Sequence, residues 1–148
     1  DVYERFTGVE HRLEKVRVLE GIDFINDSKA TTAQAARWAL TNIDKPIVMI
    51  CGGRDKNIDF SVLSELVRAK VKYMFVIGEA RQKIRQTFHE VIGLEECEDL
   101  KEAVIKARQK ALAGECVLLS PMCASFDMFS DFEQRGRCFK DIVNQFAG

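Results

Sequence analysis

Neither sign of charge prevails in this sequence: 22 Lys and Arg stand against 23 Asp and Glu in 148 residues. A chain that tracks phosphates along a nucleic acid is usually distinctly basic over at least one face. Here bases and acids alternate along the chain, which disfavours nucleic acid as a partner. No apolar run reaches the length of a membrane span, so no membrane association is expected, and no signal peptide opens the chain. The cysteines (Cys51, Cys97, Cys116, Cys123 and Cys138) are odd in number and form no C-x-x-C pair. A disulfide framework or zinc site would show tighter, regular spacing. Cys51 and Cys116 fall in apolar runs, where a thiol behaves as a small hydrophobe. Reduced thiols in a cytosolic protein are the expected state. The hydrolase pattern G-x-S-x-G is absent, and so is the phosphate loop G-x-x-x-x-G-K-[ST]. Histidine is limited to His11 and His89. Cys123 is therefore a poor nucleophile candidate, since such a thiol wants a nearby imidazole.

What remains is a chain 47% hydrophobic and 30% charged, the profile of one globular domain with a real core. It begins D-V-Y-E-R-F-T-G without an initiator Met, as expected of a processed chain or a piece of a longer protein. The segments around Glu20-Gly21 read as two short strands in a hairpin. I-V-M-I-C, Y-M-F-V-I and C-V-L-L are continuous apolar runs, the pattern of strands buried on both faces. Between them lie helical stripes: Ala36, Leu40 and Ile43; Leu63, Leu66 and Val67; Ala80, Ile84 and Phe88; Leu100, Ala103, Val104, Ala107 and Ala111; and finally Phe132, Phe139, Val143 and Phe146. Capping pairs are expected at Thr31/Gln34, Asp99/Glu102 and Ser130/Glu133, with Asp59 a further cap. The alternation implies an α/β fold: a Rossmann-like, doubly wound, mostly parallel sheet with an N-terminal β-hairpin and helices on both faces.

In such sheets ligands bind beyond the carboxyl ends of the strands. Three of those ends are rich in polar groups: N-D-S-K-A-T, G-G-R-D-K-N-I-D-F and S-P-M-C-A-S-F-D. The fourth, G-E-A-R, runs directly into a helix. Asp27 and Ser28 could be simple caps. Lys29 fits that reading badly, because a cation at a helix N-terminus opposes the macrodipole by roughly 0.3–1 kcal/mol. A bound phosphate or carboxylate would reverse the penalty. Arg54 and Lys56 read alone as solvated residues, and Lys56 gains weight only if the loops converge. Ser120 and Ser125 read as hydroxyl donors for a ligand or for the loop itself. No cluster of His, Cys and acids has metal-ligand spacing in the sequence, so any Mg²⁺ is expected to be held by a nucleotide's phosphates and by groups outside the chain.

G-V-E-H-R-L-E, N-D-S-K-A-T, G-G-R-D-K-N-I-D-F and L-L-S-P-M-C-A-S-F-D-M-F-S-D-F-E-Q-R-G occur in this order. Together they closely resemble the C-terminal domain of the Mur ligases, from about Phe6 to the end. Within the family the likeness is to the branch that adds D-glutamate to UDP-N-acetylmuramoyl-L-alanine during peptidoglycan precursor synthesis in the bacterial cytoplasm. The resemblance implies an enzyme that uses ATP and Mg²⁺ to form an acyl phosphate, which the amine of D-glutamate attacks. It further implies that residues 1–148 form a single domain, whose partners are the N-terminal UDP-binding and central ATPase domains of the same protein. By motif, Arg12, Asp27 and Lys29 are implied to contact ATP, with Lys29 near the phosphates and the incoming substrate as the catalytic group. Thr31, Lys56, Ser125 and Phe132 are implied to form the D-glutamate site. Thr32 and Asn57 depart from the Asn and Gly common at those places. Two other readings stay open: a domain of another Mur-type amino-acid ligase, and a non-catalytic nucleotide- or acid-binding module.

Overall fold

The computed structural model describes residues 9–148, and the opening D-V-Y-E-R-F-T-G lies outside the described residues. Strands β1 (Glu14–Leu19) and β2 (Ile22–Asn26) form the expected hairpin. Its two turn residues, Glu20 and Gly21, have φ of +54° and +79°, the left-handed pair that tight hairpins favour because its twist matches the strands. Then follow α1 (Ala33–Asn42), β3 (Ile47–Gly52), a 3₁₀ turn (Phe60–Leu63) leading into α2 (Ser64–Lys70), β4 (Val71–Ile77), α3 (Arg81–Phe88), β5 (Gly93–Glu96), α4 (Leu100–Lys110), β6 (Cys116–Leu119) and α5 (Phe132–Gln145). The sheet order is β1-β2-β6-β3-β4-β5, antiparallel only at β1–β2.

Successive residues of the central strands feed opposite layers, as the pleat requires. Ile47, Met49 and Cys51 join α1, α2 and α3 on one face through Leu40, Val67 and Ile84. Val48 and Ile50 join α4 and α5 on the other through Val104 and Phe139. Strand β5, G-L-E-E, was not anticipated. It lies at the sheet edge and is half-exposed, so it needs no apolar run to be stable there.

Two helix starts fall one residue later than expected. Thr32, not Thr31, caps α1, its hydroxyl accepting from Ala35 N at 3.1 Å. The Thr31 N–H is turned back to the Lys29 carbonyl at 2.9 Å, which leaves Thr32 as the last extended residue. Asp131 caps α5 by accepting from Gln134 N at 2.7 Å, and Gln134 Oε1 reaches back to Ser130 N. The cap is shifted by one position, and the returning Gln134 bond goes to the residue before the cap instead of to the cap itself. Asp99 and Asp59 cap as expected.

Candidate functional site at the carboxyl ends of β2, β6 and β3

Because β6 inserts between β2 and β3, the polar loops that follow these strands become neighbours. Backbone bonds tie them together: Met122 N donates to Ala30 O, Arg54 N to Ala124 O and Gly52 N to Pro121 O, each at 2.9 Å. The loops approach so closely that a Cβ on Gly53, at φ +147°, would lie 2.9 Å from Cys123 Cβ. Asn57 occupies the left-handed region at φ +61°, a conformation Asn tolerates better than most residues other than glycine. The G-E-A-R end of β4 is also tied in. Asp127 Oδ2 accepts from Glu79 N at 2.8 Å, and Glu79 Oε1 accepts from Asp55 N at 2.9 Å. It supports the cluster from the side.

A residue the sequence reading did not single out holds this junction. Arg135 of α5 is 1% exposed. Its Nε donates to Ser28 Oγ (2.9 Å), one terminal nitrogen to Ser28 O (2.8 Å) and the other to Cys123 O (3.0 Å). Ser28 Oγ in turn donates to the Phe132 carbonyl at 2.7 Å. Burial draws the guanidinium pKa down to about 10, so it remains a cation at neutral pH. One planar fork thus joins the β2 loop, the β6 loop and the start of α5, which is geometry a lysine cannot reproduce. The signal available was E-Q-R-G, an arginine followed by a glycine inside a helix.

Arg12, Asp27 and Lys29 line one cleft of about 190 Å³ together with Ala30, Ala35 and Trp38. Asp27 does not cap a helix. Its carboxylate accepts from Leu13 N at 3.1 Å and from Ser120 Oγ at 3.0 Å. Burial pushes its pKa up to about 7, against the opposing pull of those two bonds and of Arg12. His11 and Leu13 adopt φ of +66° and +43°, strained for residues with side chains. That bend lets the His11 carbonyl accept from Lys29 N at 3.0 Å. The Lys29 side chain is exposed, and its ammonium has no carboxylate partner among the described residues.

Beside the cleft, Glu10, His11 and Glu14 bring potential ligand atoms within 4.8 Å of one another, a grouping not anticipated from spacing. Their chemistry fits a metal poorly. Asn26 Oδ1 accepts from Ser28 N, and its amide nitrogen donates to Glu14 Oε1 at 3.0 Å. The amide is thereby oriented so that it also donates to His11 Nδ1 at 2.9 Å. The proton of neutral His11 then sits on Nε2, 3.6 Å from Glu10 Oε1. Lys140 already compensates both acids, at 2.7 and 3.1 Å. Burial lowers the His11 pKa and keeps the ring neutral. The ring lies against Gly136, where a Cβ would come within 2.6 Å of His11 Cε1 and closer still to Nδ1. Gly136→Ala is therefore expected to destabilise the domain by about 1–3 kcal/mol, although helix propensity alone favours alanine by about 1 kcal/mol. Urea unfolding gives the sign, and a stabilised variant would refute the packing.

The remaining candidates lie on the joined loops. The Lys56 ammonium stands 6.0 Å from the Phe126 ring centroid. Ser125 is buried, and its Oγ has no hydrogen-bond partner among the described residues. Phe132 is the first residue of α5, so its N–H belongs to the helix-start donors that have no intrahelical acceptor. Its ring packs edge-on to His11 at 6.0 Å. Thr31 is half-buried at the start of α1. Burial pushes the Cys123 thiol up to about 12, so it stays protonated and acts as core.

This is an α/β sheet with its polar loops gathered over the carboxyl ends of three adjacent strands, the place where such folds bind ligands. The description "Mur ligase, glutamate ligase domain" matches residues 11–123, and the chain belongs to the Mur ligase family. It is 51% identical over 142 residues, 96% of its length, to UDP-N-acetylmuramoylalanine--D-glutamate ligase of Chlorobaculum parvum. It is 46% identical over 144 residues, also 96% of its length, to the enzyme of the same name from Caldicellulosiruptor saccharolyticus. The chain spans 30% and 32% of those two proteins. In fold it is similar to a bifunctional folylpolyglutamate synthase/dihydrofolate synthase from Yersinia pestis (TM-score 0.65, 15% identity, 91% of this chain and 31% of that one). It is likewise similar to a murein peptide ligase from Psychrobacter arcticus (TM-score 0.63, 12% identity, 93% of this chain and 31% of that one).

Proposed function

We propose that this chain is the C-terminal domain of a bacterial, cytoplasmic ligase that joins D-glutamate to UDP-N-acetylmuramoyl-L-alanine. The reading is carried by the convergence of a cation-bearing cleft (Arg12, Asp27, Lys29) with the loops of Thr31, Lys56, Ser125 and Phe132 at one end of the sheet. In that reaction the L-alanine carboxylate becomes an acyl phosphate at the expense of ATP. The D-glutamate amine then attacks the acyl carbon, phosphate leaves, the amine proton is lost and an amide bond forms.

Within this scheme Asp27 serves the ribose, Arg12 contacts the nucleotide, and Lys29 serves the phosphates as a mobile positive charge. Lys56, the Ser125 hydroxyl, Thr31 and the Phe132 N–H hold the two carboxylates of D-glutamate, where charge-assisted bonds contribute most. In this reading the phosphate loop and the Mg²⁺ ligands belong to other domains of the full-length protein, which is consistent with a sequence that carries no G-x-x-x-x-G-K-[ST], and the isolated domain is expected to be inactive. In the full-length enzyme, Lys56→Ala is expected to raise the KM for D-glutamate at least about tenfold, the scale of one lost charge-assisted bond. The KM for UDP-N-acetylmuramoyl-L-alanine should hardly move. Steady-state kinetics with each substrate varied in turn decides, and equal rises in both would defeat the assignment.

A further inference from the structure

Trp38 belongs to none of the loop motifs, yet it lines the same cleft as Arg12, Asp27 and Lys29. The buried residues of α1 are Ala36, Ala39 and Leu40. Trp38 lies at the margin of that stripe and is only half-buried. The Arg12 guanidinium sits over its ring at 5.3 Å from the centroid. A site that held only phosphates would need cations and N–H donors, and an indole adds nothing to it. A nucleobase, by contrast, presents flat π faces that stack on aromatic rings and on guanidinium planes.

We infer that Trp38, with Arg12 stacked against it, forms the base-binding wall of the nucleotide site. The inference rests on the reading of this cleft as the ATP site. The cleft then carries a complement for each part of a nucleotide: the indole–guanidinium pair for the base, the Asp27 carboxylate for the sugar hydroxyls and the Lys29 ammonium for the phosphates. Stacking tolerates different bases, so the wall adds affinity for nucleotides over polyphosphates more than it discriminates among bases. α1 contributes to the site a residue whose place is set by the helix register and by its contact with Arg12.

Trp38 is the sole tryptophan in the sequence, so indole emission reports on the wall directly. Titration of the 148-residue chain with ATP is expected to change that emission saturably. Its midpoint should match that of the backbone amide shifts of Lys29 and Ala30 in NMR spectra. Tripolyphosphate should shift those amides and leave the emission unchanged. Trp38→Leu is expected to weaken ATP binding about tenfold, the scale of one lost base–aromatic stack, while tripolyphosphate binding is kept. Trp38→Phe should recover most of the ATP affinity. A misfolded Trp38→Leu chain would lose tripolyphosphate as well, and the Phe variant against the parent then carries the comparison. ATP that shifts Lys29 without touching the emission, or that binds the Leu variant as tightly as the parent, overturns the inference and leaves the cleft reading intact. ATP that perturbs neither probe overturns the cleft reading itself.

Discussion

Replacing Arg135 by alanine is expected to cost the domain about 3–5 kcal/mol, since it combines a large buried truncation with lost acceptor partners. Arg135 heads the fully buried side chains by size. Its removal leaves a void and strips donors from Ser28 Oγ, Ser28 O and Cys123 O. For a domain of this size the loss corresponds to a fall in Tm of about 10 °C. The damage should concentrate where the fork reaches, in amide shifts over residues 27–31 and 122–126, with the far ends of the strands little changed. Arg135→Lys keeps the charge but not the planar fork, and is expected to recover less than half of the lost stability. Urea unfolding of the three proteins measures this. An alanine variant within about 1 kcal/mol of the parent would mean that the loops are held by their backbone bonds alone.

Asp27→Asn is expected to move stability in the opposite direction, and only in part of the pH range. The folded-state pKa of about 7 lies above the ordinary value of 3.8. Between those values the folded chain keeps a proton that the unfolded chain has released. Stability therefore falls as pH rises through this window and levels off above about pH 7. A shift of that size corresponds to about 4 kcal/mol at full effect. The asparagine variant cannot ionise and escapes this penalty. Its amide oxygen can still accept from Leu13 N, while the Ser120 hydroxyl can rotate to accept from the amide nitrogen. At about pH 8 the variant should be the more stable protein, and at about pH 5 the difference should shrink towards zero or reverse. Thermal unfolding of both chains across that range tests this, because other titrating groups cancel in the difference. A pH-independent difference would show that Asp27 is not the group responsible. A buried carboxylate that costs stability is the kind of local inconsistency expected where a site is built. It also explains why Asp27, which the sequence presented equally as a turn residue, belongs with the cleft.

Much of this protein was legible in order along the chain. The hairpin, the apolar strands and the helical stripes appear where periodicity placed them, because strand pleat and helix pitch are written in neighbouring residues. The polar character of the three loops was legible for the same local reason, whereas Lys29 lies exposed three residues before the Thr32 cap, outside the first turn where a helix dipole acts. Capping was right in kind and late by one residue at Thr32 and Asp131, since a single turned N–H decides which residue is last outside the helix. Edge strand β5 left no pattern because an exposed edge asks for none.

What only the tertiary structure decided is adjacency. The insertion of β6 between β2 and β3 is a choice among pairings of distant segments, and no local period encodes it. Yet that insertion turns three separate polar loops into one cluster. The roles of Arg135, Gly136 and Trp38 follow from it too, because each is defined by what it meets across the sheet end: a serine more than a hundred positions away, a buried imidazole, a guanidinium over a ring. The sequence by itself determined which groups could do chemistry. Packing determined which of them stand together, and burial raised the pKa of Asp27 and lowered that of His11.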